Sequence, residues 1–171
     1  MPEKTVTSTF RLDEKAFRTL QEDAKKQSIS VNTLVNQLIL SYANYDRVMK
    51  RLQMMKIPAS TFKAILDSAS DEGIKQAARI TGTGVGKTFV VAMSGAFTLE
   101  NVLEGFRTSA SYINAFEYNE FPHADRITIT LTHQFGKKGT LFIEEWIKGM
   151  FEALHLEPKF LPAEDAVIFE I

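Results

Sequence analysis

The sequence predicts an α+β chain: a strand and two helices at the N-terminus, a helical connector, and alternating strands and helices to the end. Three observations predict this. Residues 5–12, Thr-Val-Thr-Ser-Thr-Phe-Arg-Leu, alternate as a strand does. Apolar residues then recur at the helical period as far as residue 52. From residue 87 onward, short strand-like runs alternate with two long amphipathic stretches.

The N-terminal elements follow in order. Asp13 is a good N-cap for a first helix whose apolar positions are Ala16, Phe17, Leu20 and Ala24. Lys25 and Lys26 sit near its end, where cations favour the helix dipole. Ser28 and Ile29 fall in the turn, and Ser30 caps a second helix. That helix carries Val31, Leu34, Val35, Leu38, Ile39 and Tyr42 on a broad apolar face, with a continuation through Tyr45, Val48, Met49 and Leu52.

Pro58 marks a break. A short helix with Phe62, Ile65 and Leu66 follows. Ser70 caps another, with Ile74, Ala77, Ala78 and Ile80, and Gly82 is read as its stop. Residues 88–93 read as a buried strand, and Leu99, Val102, Leu103, Phe106 and Ile113 mark a helix. Strands are predicted over 115–121 and 126–132, with a turn at 122–125 between them. In the second of these, Ile127, Ile129 and Leu131 share one face and Thr128, Thr130 and Thr132 the other. A second strong helix runs from Phe142 to Leu154, and residues 166–171 close with a strand. Strand, helix, strand, strand, helix, strand is the ferredoxin-like βαββαβ order. The predicted domains are therefore 1–52, a helical connector over 53–86, and a ferredoxin-like domain over 87–171.

Composition narrows the function. The chain has 171 residues, 44% apolar and 24% charged, an ordinary globular balance. It has no cysteine, which excludes disulfides, thiolate nucleophiles and thiolate metal sites. The polar N-terminus does not read as a signal peptide, and no apolar run is long enough to span a bilayer. A cytoplasmic location without membrane contact is the expectation. Residues 1–52 hold nine Lys and Arg against six Asp and Glu, a net +3. Residues 53–171 hold eleven against fifteen, a net −4. The basic balance lies at the N-terminus, as expected of a segment that meets nucleic acid.

A strand this short cannot form a sheet alone, and two helices cannot enclose a core. A second copy completes both, and the two strands then form a ribbon. A two-stranded ribbon fits the major groove of DNA. Alternation puts Val6, Ser8, Phe10 and Leu12 toward the helices and Thr7, Thr9 and Arg11 outward. Threonine donates, accepts and touches a thymine methyl; arginine grips a guanine edge with two hydrogen bonds. At the start of the second helix, the amides of Ser30, Val31 and Asn32 suit a phosphate.

These residues carry a family resemblance. The run Phe10-Arg11-Leu12-Asp13, the helix after it, and Ile29-Ser30-Val31-Asn32-Thr33-Leu34-Val35-Asn36 resemble a ribbon-helix-helix domain, the fold class of the Arc and methionine repressors. The likeness covers about residues 4–46. It implies that Thr7, Thr9 and Arg11 read bases and that Ser30, Val31 and Asn32 clamp phosphate. It departs at Ser28, where the family often has glycine, and at Ser8, a weak inward residue. Joining such a unit to a ferredoxin-like domain is also similar to the nickel-responsive repressors. Those bind metal through histidines and a cysteine. This chain has only His123, His133 and His155, so nickel sensing is not carried over.

Other motifs carry less. Gly82-Thr83-Gly84-Val85-Gly86-Lys87-Thr88 looks like a phosphate-binding loop, but Thr81 stands where its first glycine belongs, and a helix precedes it instead of a strand. It reads instead as a flexible hinge between connector and final domain. His123 and His133 flank one predicted strand, so a hairpin would bring them together near Glu117 or Glu120, yet no metal-binding spacing supports a site. Gly136-Lys137-Lys138-Gly139 ahead of a helix suits an anion or an ordinary turn. No nucleophile–base or paired-carboxylate constellation stands out, so no catalytic residue, cofactor or metal ligand is assigned.

The expected function is a homodimeric, non-enzymatic, sequence-specific transcriptional regulator that binds double-stranded DNA. Its C-terminal domain would add assembly into a dimer of dimers, sensing of a small-molecule effector, or both. The alternatives are an antitoxin that autoregulates through DNA, or a metal- or ligand-responsive repressor. Antitoxin tails are usually short and fold on their partner, whereas this tail reads as independently folded.

Overall fold

The computed structural model describes residues 5–113, 115–163 and 165–171. The chain divides into two compact units, Met1–Ala43 and Asn44–Ile171.

In the N-terminal unit, α1 spans Glu14–Lys26 and α2 spans Val31–Ser41. The Asp13 carboxylate accepts from the amides of Lys15 and Ala16, so the predicted cap is in place. Ser30 Oγ accepts from the Thr33 amide at 3.0 Å, the second predicted cap. Between the helices, Ser28 takes the left-handed conformation, with φ of 56°. Its amide donates to the Lys25 carbonyl and that of Ile29 to the Ala24 carbonyl, which closes α1 in a Schellman motif. Ser28 thus occupies the position where glycine is usual, for a backbone reason. Residues 5–13 form neither helix nor strand. A strand exists only as a hydrogen-bonded pair, and the paired strands of the described residues all lie in the other unit.

The C-terminal unit opens with a π-helical turn, Tyr42–Asp46, whose first two residues belong to the preceding unit, and α3, Arg47–Arg51. Helices α4 (Ala59–Ser68) and α5 (Asp71–Ile80) follow, with Ser70 capping α5 as expected. The predicted stop at Gly82 is not a stop. A π-helical segment, Thr81–Gly86, carries the helix into α6, Lys87–Ser94, and Gly95 at φ of 84° ends the run. The strand predicted over residues 88–93 is therefore helix. Its Thr-Phe-Val-Val run is strand-like in composition, but a short apolar run cannot be typed from periodicity alone. Packing decides it, because Phe89 and Val90 bury into separate apolar clusters. The Thr88 and Ser94 hydroxyls donate back to the carbonyls four residues earlier.

The ferredoxin-like order falls with that strand. After α7 (Leu99–Ile113) come β1 (Glu117–Pro122), β2 (Ile127–Thr132), α8 (Gly136–Glu152), β3 (Lys159–Leu161) and β4 (Ala166–Glu170). The sheet is antiparallel throughout, in the order β1-β2-β4-β3. The three-residue β3 has no counterpart in the sequence reading; it is too short to show alternation. Ile129 and Leu131 are fully buried, as their phase predicts, and join Val167 and Phe169 of β4. Phe106 of α7 meets Trp146 of α8 edge to face at 5.4 Å, and Phe151 meets Phe169 at 5.7 Å.

Glycines let α8 press against the α5–α6 run. A Cβ on Gly82 would lie 2.2 Å from the Trp146 carbonyl oxygen, and one on Gly149 would lie 3.0 Å from that of Arg79. The expected hinge at 82–86 is thus a tight helix crossing. Helix also continues across residues 86 and 87, where the sequence reading placed a domain boundary.

Candidate nucleic-acid interface

The expected site is in the N-terminal unit. Thr7, Thr9 and Arg11 all lie exposed in the segment ahead of α1. They share that segment with apolar residues that are equally uncovered: Val6 is 85% exposed, Phe10 64% and Leu12 52%. On α2, Leu38, Ile39 and Leu40 are exposed too. Only Ala24 and Leu34 are buried apolar residues among those described in this unit.

Ser30, Val31 and Asn32 stand together at the head of α2. Ser30 and Asn32 are exposed and Val31 is half-buried. The Ser30 hydroxyl is occupied by the Thr33 amide and by the Thr33 hydroxyl at 2.8 Å. First-turn amides have no intrahelical acceptor, so those of Val31 and Asn32 point out along the helix axis. With the positive end of the helix dipole, they form an anion-facing surface. Arg11 and Lys15 add positive charge around the start of α1. Arg18 and Lys26 are paired with Glu14 and Asp23 at 2.6 and 3.1 Å, and both pairs are solvent-exposed.

The chemistry-bearing residues of the C-terminal unit have structural roles. His123 and His133 are not brought together: His123 sits in the β1–β2 turn and His133 follows the far end of β2. That separation is on the order of 20 Å along the strand. His133 is buried. Its Nδ1 accepts from the Phe135 amide and its Nε2 shares a hydrogen bond with the Thr140 hydroxyl, both at 3.2 Å. Burial holds its pKa below the usual histidine value against the opposing charge of Asp165. Glu117 is exposed, while Glu120 takes two hydrogen bonds from Arg107 Nη2, at 2.6 and 2.9 Å, and one from the Tyr118 hydroxyl. Burial pushes the Glu120 pKa up, and these bonds more than offset it, leaving it below the usual value. Among the described residues, no cluster of three or more His, Asp or Glu side chains is placed to hold a metal ion.

The lysine-rich turn before α8 is committed as well. Lys138 Nζ donates to the carbonyls of Asp67 and Ala69, at 3.0 and 2.5 Å, and so caps the C-terminus of α4. Gly139 is needed because a Cβ there would meet Phe135 Cβ at 2.2 Å. Sequence reasoning missed two features. One is the ion pairing of Arg79 with Glu145 and Glu152, at 2.7 and 2.8 Å, which no spacing announces. The other is an apolar cavity partly walled by Met49, Met54 and Met55; the only signal was the clustering of methionines.

No helix among the described residues is long and apolar enough to cross a membrane. No protein-family model, curated protein or solved structure matches this chain.

Proposed function

We propose that this chain is a homodimeric, sequence-specific DNA-binding regulator of the ribbon-helix-helix type. Residues 5–12 of two copies pair as an antiparallel ribbon, and Thr7, Thr9 and Arg11 of each copy face the major groove. The amides of Val31 and Asn32, behind the Ser30 cap, grip the flanking phosphates and set the register.

The observation that carries this reading is the exposed apolar set Val6, Phe10, Leu12, Leu38, Ile39 and Leu40 beside well-capped helices. Burying one such side chain contributes about 1.5–3 kcal/mol. These six average just over half exposed, so burying them contributes roughly 5–10 kcal/mol per chain, comparable to the whole stability of a small domain. A second copy is the occupant that buries this set and at the same time turns residues 5–12 into a paired strand. The basic balance of residues 1–52 supports DNA as the ligand of the ribbon's outer face.

The test is competition between a selected duplex and random duplex for the full chain and for Arg11→Ala. A base-specific arginine contact supplies about 1–3 kcal/mol of discrimination. Arg11→Ala should therefore lose most of the preference at that base pair and keep dimerisation and salt-dependent binding. Undiminished discrimination would remove Arg11 from the reading face and contradict the proposed register.

A further inference from the structure

The C-terminal unit contains a concave apolar site that the DNA reading does not use. It is open to solvent on one side and has a volume of about 440 Å³, within the usual range for small-molecule sites. Its walls come from α3 and the segment after it, α4, the Thr81–Gly86 segment, α6, α7 and α8. Tyr112 lines the cavity and is held from behind by the buried Tyr45, which stacks on it at 5.5 Å and meets Phe89 edge-on at 5.9 Å. Met49, Met54 and Met55 supply polarisable, adaptable side chains that fit irregular ligands.

The lining also defines the ligand's charge. Among the described residues, it contains no carboxylate and no histidine. Lys56 is the one cation among the described lining residues, and Asp46 holds it at 2.9 Å. A charged ligand would lose its hydration here without a counter-ion of its own. Polar groups of the lining include the hydroxyls of Thr81 and Ser109 and the Trp146 indole; the Thr81 hydroxyl donates to the Ala77 carbonyl.

We propose that this cavity is a binding site for a small, uncharged, largely aromatic molecule, seated against Tyr112 with the methionines closing over it. It is available whether or not the chain reads DNA.

The probe is N-phenyl-1-naphthylamine, uncharged and fluorescent, titrated into the full chain. Trp146, the only tryptophan, lines the cavity and reports occupancy by energy transfer. Methyl spectra of 13C-methionine protein locate the probe. Saturable binding is expected, with methyl shifts at Met49, Met54 and Met55 and little change at Met93, which is outside the lining. Val85→Phe, at a lining residue with open space beside it, should weaken the probe at least tenfold. If that variant misfolds by circular dichroism, the methyl map of the unaltered protein decides. A sulfonated analogue, anilinonaphthalenesulfonate, should bind at least tenfold more weakly. No saturable binding, or binding that leaves all three methionines unshifted, would overturn the site. Equal affinity for the sulfonate would overturn the ligand class.

Discussion

The two units of this chain bury their apolar side chains to different extents. From Asn44 onward, helices and sheet bury one another: Val102, Ile129, Leu131, Ile147, Phe151 and Phe169 are sealed within a single chain. Before it, α1 and α2 are well formed and well capped, yet Val6, Phe10, Leu12 and the Leu38–Leu40 stretch face outward. Local signals specify the first unit's helices, while its core is proposed to require a second chain. The second unit is held by contacts distant in sequence. Substitutions in the two units should therefore fail in different ways, and Trp146 lies in the second unit.

The largest effect is expected from Phe10→Asp. Placed in the proposed ribbon, it would bury two unpaired carboxylates across the dimer axis. Dimer affinity should fall about a thousandfold, about 4 kcal/mol, with DNA binding lost in parallel. Sedimentation equilibrium reads the first and fluorescence anisotropy the second. Unfolding of the C-terminal unit, followed by Trp146, should not shift.

Gly82→Ala should do the reverse. Its Cβ would press on the Trp146 carbonyl and force the Thr81–Gly86 segment and α8 apart, at about 3 kcal/mol. Gly84→Ala, where a Cβ meets open space, should stabilise the same helix by about 0.5–1 kcal/mol. Chemical denaturation of the two variants gives both signs in one experiment. Equal effects at the two positions would contradict the close crossing.

The difference between the units also explains what the sequence made legible. Asp13 and Ser30 were readable as caps because a cap is a local event. The phase of Ile129 and Leu131 was readable because alternation is local too. Residues 88–93 were not, because Phe89 and Val90 are held as helix by packing partners distant in sequence. The glycines at 82 and 86 look like a loop in sequence and form a helix contact in space. Of the expected DNA contacts, the Ser30–Asn32 trio is visible as a helix head, whereas the roles of Thr7, Thr9 and Arg11 depend on a second strand.

A smaller effect should come from pH. His133 is buried and its folded pKa lies below the unfolded value of about 6.5. Below that value the unfolded chain binds more protons, so this contribution is complete above about pH 6.5 and declines as pH falls toward the folded pKa. The Trp146 unfolding midpoint should therefore drop between pH 7.5 and 5.5, and less so in His133→Gln. An unchanged slope in that variant would place the titrating group elsewhere.

The smallest effect is at Ser28. Glycine at its left-handed position relieves backbone strain of about 1 kcal/mol. Glycine's greater freedom in the unfolded chain offsets part of this, so Ser28→Gly should raise the stability of the N-terminal unit by roughly a few tenths of a kcal/mol, read by far-ultraviolet circular dichroism, and leave the Trp146 transition in place.

The most direct test of the paired-ribbon account is selection of duplexes by the full-length chain from a random pool. The account predicts an enriched, two-fold symmetric sequence, and loss of base preference at one position in each half-site when Arg11→Ala is used. Recovery of no common sequence, or of one without two-fold symmetry, would contradict it.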